Sequence, residues 1–177
     1  MLKVLKAPTI IRYYDSFIEN DSLCIVMEYA SLGSLHDKIQ DCRSRSMTIS
    51  EDEALYFIAQ LIIAVIFMHS KNILHRDIKA QNLFMTKPHE VKLGDFGIAK
   101  ALGTNADFTK TLVGTPYFMS PEVCLGEIYG QKADIWAIGC TLYEILTLKK
   151  PFMHDNINVL FEKIKNEHPP ALGNQYS

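Results

Sequence analysis

The stretch His75-Arg76-Asp77-Ile78-Lys79-Ala80-Gln81-Asn82, with Asp95-Phe96-Gly97 a short way downstream, decides how this chain is read. Between the two motifs, Leu83 to Thr86 and Val91 to Leu93 are short apolar runs joined through Lys87-Pro88-His89-Glu90, the pattern of a β-hairpin. Antiparallel pairing returns the chain to where it began, so the spacing predicts one cleft holding Asp77, Lys79, Asn82 and Asp95. That set suits phosphoryl transfer. Asp95 and Asn82 offer oxygen ligands to a hard Mg2+, Lys79 can neutralise a transferring phosphoryl group, and Asp77 can accept a hydroxyl proton or orient the nucleophile. Singly, each residue is ordinary for a charged surface loop. Jointly, the five specified positions of H-R-D-x-K-x-x-N arise by chance on the order of once in a million starting points at average composition.

Upstream, Ser50 and Glu53 make a capping-box pattern ahead of Leu55 to Met68, which is apolar almost all round and broken mainly by Gln60. A helix buried at the centre of a helical lobe is expected there. Further upstream, Ile10 to Ile18 and Leu23 to Tyr29 flank the turn formers Glu19-Asn20-Asp21-Ser22 and predict another hairpin. Leu35 to Gln40 reads as a short helix and Asp41 to Ser46 as an exposed loop. Downstream, Gly94 to Gly114 has no sustained period and reads as a long functional loop. Asp134 to Thr147 follows as a second apolar helix with Asp134 available as its cap, and Asn156 to Asn166 as a third. Strands precede a mainly helical remainder, the order of an α+β fold with segregated elements.

Composition excludes several classes. The 177 residues are 48% hydrophobic and 21% charged with a net charge of -2, which does not fit a disordered or collagen-like chain. So balanced a charge provides no general electrostatic reason to bind nucleic acid or an anionic membrane. The uninterrupted apolar run Leu61 to Met68 is far short of the roughly 20 residues a membrane-spanning helix needs, and Met1 to Ala7 has no signal-peptide apolar stretch. Cys24, Cys42, Cys124 and Cys140 are scattered without a C-x-x-C pair, which suggests neither a zinc site nor a disulfide framework and points to a reducing intracellular compartment.

HRDIKAQN, DFG and Gly114-Thr115-Pro116-Tyr117-Phe118-Met119-Ser120-Pro121-Glu122 together resemble the motifs of the eukaryotic protein kinase family, over essentially the whole chain. Leu93-Gly94-Asp95-Phe96-Gly97-Ile98-Ala99-Lys100, Val113 to Tyr117 and Ser120-Pro121-Glu122 look most like the NIMA-related (Nek) serine/threonine group. Lys79 two residues after Asp77, with Thr115 ahead of Ser-Pro-Glu, is similar to the serine/threonine pattern and implies a Ser or Thr hydroxyl of a protein substrate as acceptor. By this resemblance Asp77 is the catalytic base, Asn82 and Asp95 bind Mg2+, Lys79 and Thr115 steady the phosphate and the base, and ATP is the donor. The strand Cys24 to Met27 leading into Glu28-Tyr29-Ala30 resembles the kinase hinge. Met27 is then the gatekeeper, backbone groups of Glu28 and Ala30 bond adenine, and Phe84 is the aromatic floor beneath it. Ser34 falls where many kinases place an acidic ribose contact, so that contact is weaker or absent here.

Regulation is implied in the same way. Arg76 beside Asp77 marks kinases whose long loop is ordered by phosphorylation, a phosphothreonine pairing with a buried guanidinium; the spacing to Gly114-Thr115 implies Thr111, with Thr109 and Thr104 competing. Phe96 packed against His75 would set active and inactive states. Asp134 resembles the aspartate that holds the catalytic-loop backbone, and Trp136, Leu142 and Ile145 are expected in the core. Residues 1–27 are expected to be a remnant of amino-terminal-lobe strands, 28–34 the hinge, and 35–177 a helical lobe lacking its last helices. The chain contains no G-x-G-x-x-G, and neither the strand lysine nor the helix glutamate that the family carries is recognised in it. Two readings follow: part of an active Nek-like kinase, or a non-catalytic kinase-derived binding or interfering module. An intracellular, cytoplasmic location, with centrosome or cilium, is implied by the resemblance only.

Overall fold

The computed structural model of the chain describes residues 5–95, 116–173 and 176. Strands β1 (Tyr13–Glu19) and β2 (Ser22–Met27) form an antiparallel hairpin closed by the Glu19 and Ser22 pair. Its two turn residues, Asn20 and Asp21, have φ of 47° and 58°, the left-handed conformation that a two-residue hairpin turn demands and that Asn and Asp tolerate best. The hairpin starts later than Ile10, where the sequence placed it. Ile10 and Ile11 are buried, and Ile11 N–H donates to Leu93 O (2.9 Å) while Leu93 N–H donates to Thr9 O (2.9 Å). Burial under the second hairpin therefore outcompetes extension of the first.

Helix α1 (Leu35–Ser44) runs longer than expected and absorbs most of the stretch read as an exposed loop. Ser34 and Asp37 make a reciprocal capping box, and Leu35, Ile39 and Cys42 recur at helical spacing on the buried face. Helix α2 (Glu51–His69) is capped by the Ser50 hydroxyl, which accepts from Glu53 N–H at 3.3 Å. It packs against helix α4 (Gln131–Thr147) and against strand β4 (Glu90–Leu93), which pairs antiparallel with β3 (Leu83–Lys87). Phe57, Leu61, Met68, Ile78, Leu93 and Ile145 are core residues here.

Burial of α2 on every side is corrected by the structure. Its partners lie on one face, and Leu55, Tyr56, Ile62, Ile63 and Ile66 are exposed on the other. By length and composition α2 as a whole could cross a membrane, although the uninterrupted run Leu61 to Met68 alone is too short; its inner face is the protein core. Gln60, the polar interruption, is structural: its amide donates to His89 O (2.9 Å) and accepts from Val91 N–H (3.0 Å), tying the β3–β4 turn to α2.

A short helix α3 (Pro121–Cys124) precedes α4, and α5 (Ile157–Asn166) is capped by Asn156. A second apolar cluster forms from Phe152, Leu160 and Ile164, against which Trp136 packs, its ring stacked on Phe152 with centroids 6.0 Å apart. Helix α4 starts at Gln131 after Gly130, so Asp134 is not its cap but stands one turn inside. That shift releases the Asp134 carboxylate for the loop before β3.

Candidate active site

The loop from His75 to Asn82 is held from below by one side chain. Asp134 is fully buried, and its carboxylate accepts from His75 N–H (3.0 Å), Arg76 N–H (3.0 Å), the His69 imidazole (2.8 Å) and the Tyr129 hydroxyl (2.7 Å). Burial, and then the Asp134 charge, push the Tyr129 hydroxyl far above its usual range, so it stays a donor. A carboxylate with this many donors is one of the few charged groups that tolerates complete burial. Arg76 sits at φ 68°, left-handed backbone worth of order 1 kcal/mol in strain, which the Asp134 contacts offset. Arg76 is exposed, not buried as the resemblance implied, and its backbone N–H is fastened to Asp134.

His75 is buried. Asp77 N–H donates to its Nδ1 (3.3 Å), which leaves Nε2–H to donate to Gly94 O (3.1 Å), a pattern that requires the neutral ring. Burial depresses its pKa, opposed by the Gly94 carbonyl and by the charges of Asp134, Asp77 and Asp95. An unfolded histidine takes its proton near pH 6.5, above the folded residue, so this contribution to stability is complete above about pH 6.5 and declines as pH falls toward the folded pKa. We expect the urea midpoint to drop from pH 7 to pH 5.5 more steeply in the wild type than in His75→Gln; equal slopes would remove His75 from this account.

Asp77 is the focus of the loop. Its Oδ2 accepts from Lys79 Nζ (2.9 Å) and Asn82 Nδ2 (3.0 Å), and Asn82 Nδ2 also donates to Asp77 O (2.7 Å). With its nitrogen committed twice, Asn82 has Oδ1 left as an acceptor. Gly94 N–H donates to Asn82 O (2.9 Å), and Leu83 pairs with Leu93, so the hairpin does bring Asp95 beside Asn82. Asp95 is exposed at φ 52°, a second left-handed non-glycine residue in the site. Lys79, Gln81, Asn82, Asp95, Phe118 and Lys150 line one cleft of about 320 Å³. Among the described residues no cluster of three or more His, Cys, Asp or Glu forms, and one carboxylate with one amide oxygen matches Mg2+, which keeps water and substrate phosphate as its other ligands.

At the same end of β3, Ser34 bridges to Phe84, and a Cβ on Gly94 would lie 2.9 Å from the Phe84 ring, so Gly94 allows that ring its place. Ser34 is the cap of α1, and its hydroxyl hydrogen-bonds Asp37 Oδ2 at 2.8 Å. Met27 is 40% exposed in a hairpin that is largely open on both faces. Glu28 N–H donates to Arg12 O (2.8 Å), while its carboxylate accepts from Arg12 N–H (3.1 Å) and Lys92 Nζ (2.5 Å), clamping the segment that includes Ala30 to β4. Phe96, Thr111 and Thr115 lie outside the described residues.

Sequence reading missed the supports. His69 is 65 positions from Asp134 in sequence, and Tyr129, though only five positions away, lies ahead of the helix that carries Asp134, so no spacing rule joins either to it; Lys92 had only its alternation with buried Val91 and Leu93 to mark it as outward-facing.

A fold with one strand hairpin leading into a helical body, and a carboxylate, lysine and amide gathered at a second hairpin, defines the class. The chain belongs to the protein kinase domain family, whose model matches residues 1–173. It is similar to human serine/threonine-protein kinase Nek5 (45% identical over 95% of this chain and 24% of that protein) and mouse serine/threonine-protein kinase Nek1 (43% over 100% and 14%). The Caenorhabditis elegans serine/threonine-protein kinase nekl-2 is 42% identical, over 100% of the chain and 51% of that protein. The chain thus spans about half or less of the length of these relatives.

Proposed function

We propose that the protein is a Nek-type serine/threonine protein kinase that transfers the γ-phosphate of ATP to Ser or Thr hydroxyls of protein substrates. The observation that carries this is the Asp77 carboxylate, held by Lys79 and Asn82, which line one cleft together with Asp95. Asp77 accepts or orients the acceptor hydroxyl proton, and Lys79, already on Asp77 Oδ2, neutralises charge that develops on the transferring group. Asn82 Oδ1 and the Asp95 carboxylate would hold Mg2+, which when bound would offset the negative charge of the phosphates. Glu28 and Ala30 backbone groups beside Met27 would bond adenine, Phe84 would lie beneath it, and Ser34 would contact ribose only weakly because it caps α1. Thr115 would steady the base, and phosphorylated Thr111 paired with Arg76, with Phe96 against His75, would govern activity. In domain terms 1–27 belong to the amino-terminal lobe, with β1 and β2 as its strands, 28–34 serve as hinge and 35–177 belong to the helical lobe. Location at a centrosome or cilium follows the Nek resemblance.

The test is incubation of the full-length protein with labelled ATP, Mg2+ and a mixed protein substrate, followed by phosphoamino-acid analysis. Phosphoserine and phosphothreonine that vanish on chelation with EDTA are expected; phosphotyrosine, or metal-independent transfer, would contradict the proposal. A non-catalytic binding module is the second reading, supported by the apolar side chains that β1, β2 and α2 expose, among them Phe17, Ile18, Leu23 and Ile63. Absence of transfer with retained Mg-ATP-independent partner binding would favour it.

A further inference from the structure

Helix α4 ends at Leu148 in the left-handed conformation (φ 57°), and this reversal brings Lys149-Lys150-Pro151 back toward the catalytic loop. Lys150 lines the same cleft as Lys79, Asn82 and Asp95. Its ammonium lies 4.1 Å from the centroid of the Tyr117 ring, and no carboxylate among the described residues stands within ion-pair distance of it. Lys79, the other ammonium in the cleft, is already paired with Asp77 at 2.9 Å. The carboxyl group that bears on Lys150 is Glu144, which is 1% exposed, has Oε2 without a hydrogen-bond partner, and is driven by burial toward its neutral form. Burial also lowers the Lys150 pKa, with Glu144 opposing and Arg43 and Lys79 adding repulsion. Lys150 is therefore a partly desolvated cation that the fold leaves undercompensated in the cleft that also holds Lys79 and the two groups suited to metal.

We propose that Lys150 is a specificity-determining residue that pairs with a carboxylate side chain of the protein substrate close to its acceptor hydroxyl. The inference rests on reading this cleft as the phosphoryl-transfer site. An incoming carboxylate restores the counter-charge that Lys150 lacks, at a place where water is partly excluded and the pairing is stronger than at an open surface. The opposite preference, a basic substrate residue reaching Glu144 and the unpartnered Gln81 Oε1, is disfavoured because Lys150 repels it and the Glu144 carboxyl is sealed from solvent.

The experiment uses the full-length protein and a set of single-serine peptides carrying Asp, Asn or Lys at each flanking position in turn. At one or more positions Asp is expected to raise kcat/KM about tenfold over Asn, a ratio that Lys150→Gln brings close to one and Lys150→Arg preserves. Lys150→Glu is expected to reverse the preference toward Lys. A ratio unchanged in Lys150→Gln, or a wild type that prefers Lys or shows no preference for Asp, overturns the proposal while leaving the kinase reading intact. If the wild type phosphorylates none of the peptides, the same set with Ala in place of Ser is measured by fluorescence anisotropy. Tighter binding with Asp than with Asn, lost in Lys150→Gln, then sustains the role of Lys150 and assigns the failure to the transfer reading; equal affinities overturn it.

Discussion

Asp77→Asn in the full-length protein is expected to lower kcat for phosphoryl transfer by about 10³-fold, in the middle of the range for loss of a positioned general base. The amide keeps the shape of the side chain but cannot take a proton, and it replaces one carboxylate oxygen by an N–H2 group beside the Oδ2 position that now accepts from Lys79 and Asn82. Lys79 loses its counter-charge, yet at partial exposure that loss is worth at most about 1 kcal/mol in stability. Steady-state kinetics should therefore show kcat collapsing while KM for ATP and the thermal midpoint move little. A variant with near-normal kcat would remove Asp77 from the mechanism, and one that unfolds would show that its role is structural.

Asp134→Ala is expected to have the opposite signature, unfolding the loop rather than disabling one atom. The substitution strands the buried backbone N–H of His75 and the part-buried N–H of Arg76, together with the Tyr129 hydroxyl and the His69 imidazole. Each unsatisfied buried donor costs about 1–3 kcal/mol, and breaking a buried charge network about 3–5 kcal/mol in all. For a chain of this size that corresponds to a loss of roughly 10 °C in thermal midpoint, along with activity. Asp134→Asn should recover only part, because its amide nitrogen faces donors on one side. Wild-type stability in Asp134→Ala would mean that water replaces the carboxylate and that the loop backbone holds itself.

How far each element was legible follows from what sets it. The β1–β2 turn was readable because Asn20 and Asp21 are local solutions to a local constraint, φ above zero at both positions. The later onset of that hairpin was not, since Ile10 and Ile11 leave it for contacts with Leu93, more than eighty positions away in the chain. The length of α1 hinged on burial of Cys42, and the polar residues around it, read alone, resembled a loop. Within the site, Asp77, Lys79, Asn82 and Asp95 were legible because a short hairpin necessarily brings its ends together.

By itself, then, the order of residues determined which groups would carry chemistry and that one hairpin would gather them, because turn conformation and strand pairing act over short spans. Tertiary structure alone decided what holds those groups still and which of them remain uncompensated: Asp134 beneath the loop with His69 and Tyr129, Glu28 clamped to Lys92, one open face on α2, and Lys150 turned back to the cleft. These depend on burial and on charges brought together from distant segments, and both are properties of packing in three dimensions that no periodicity along the chain encodes.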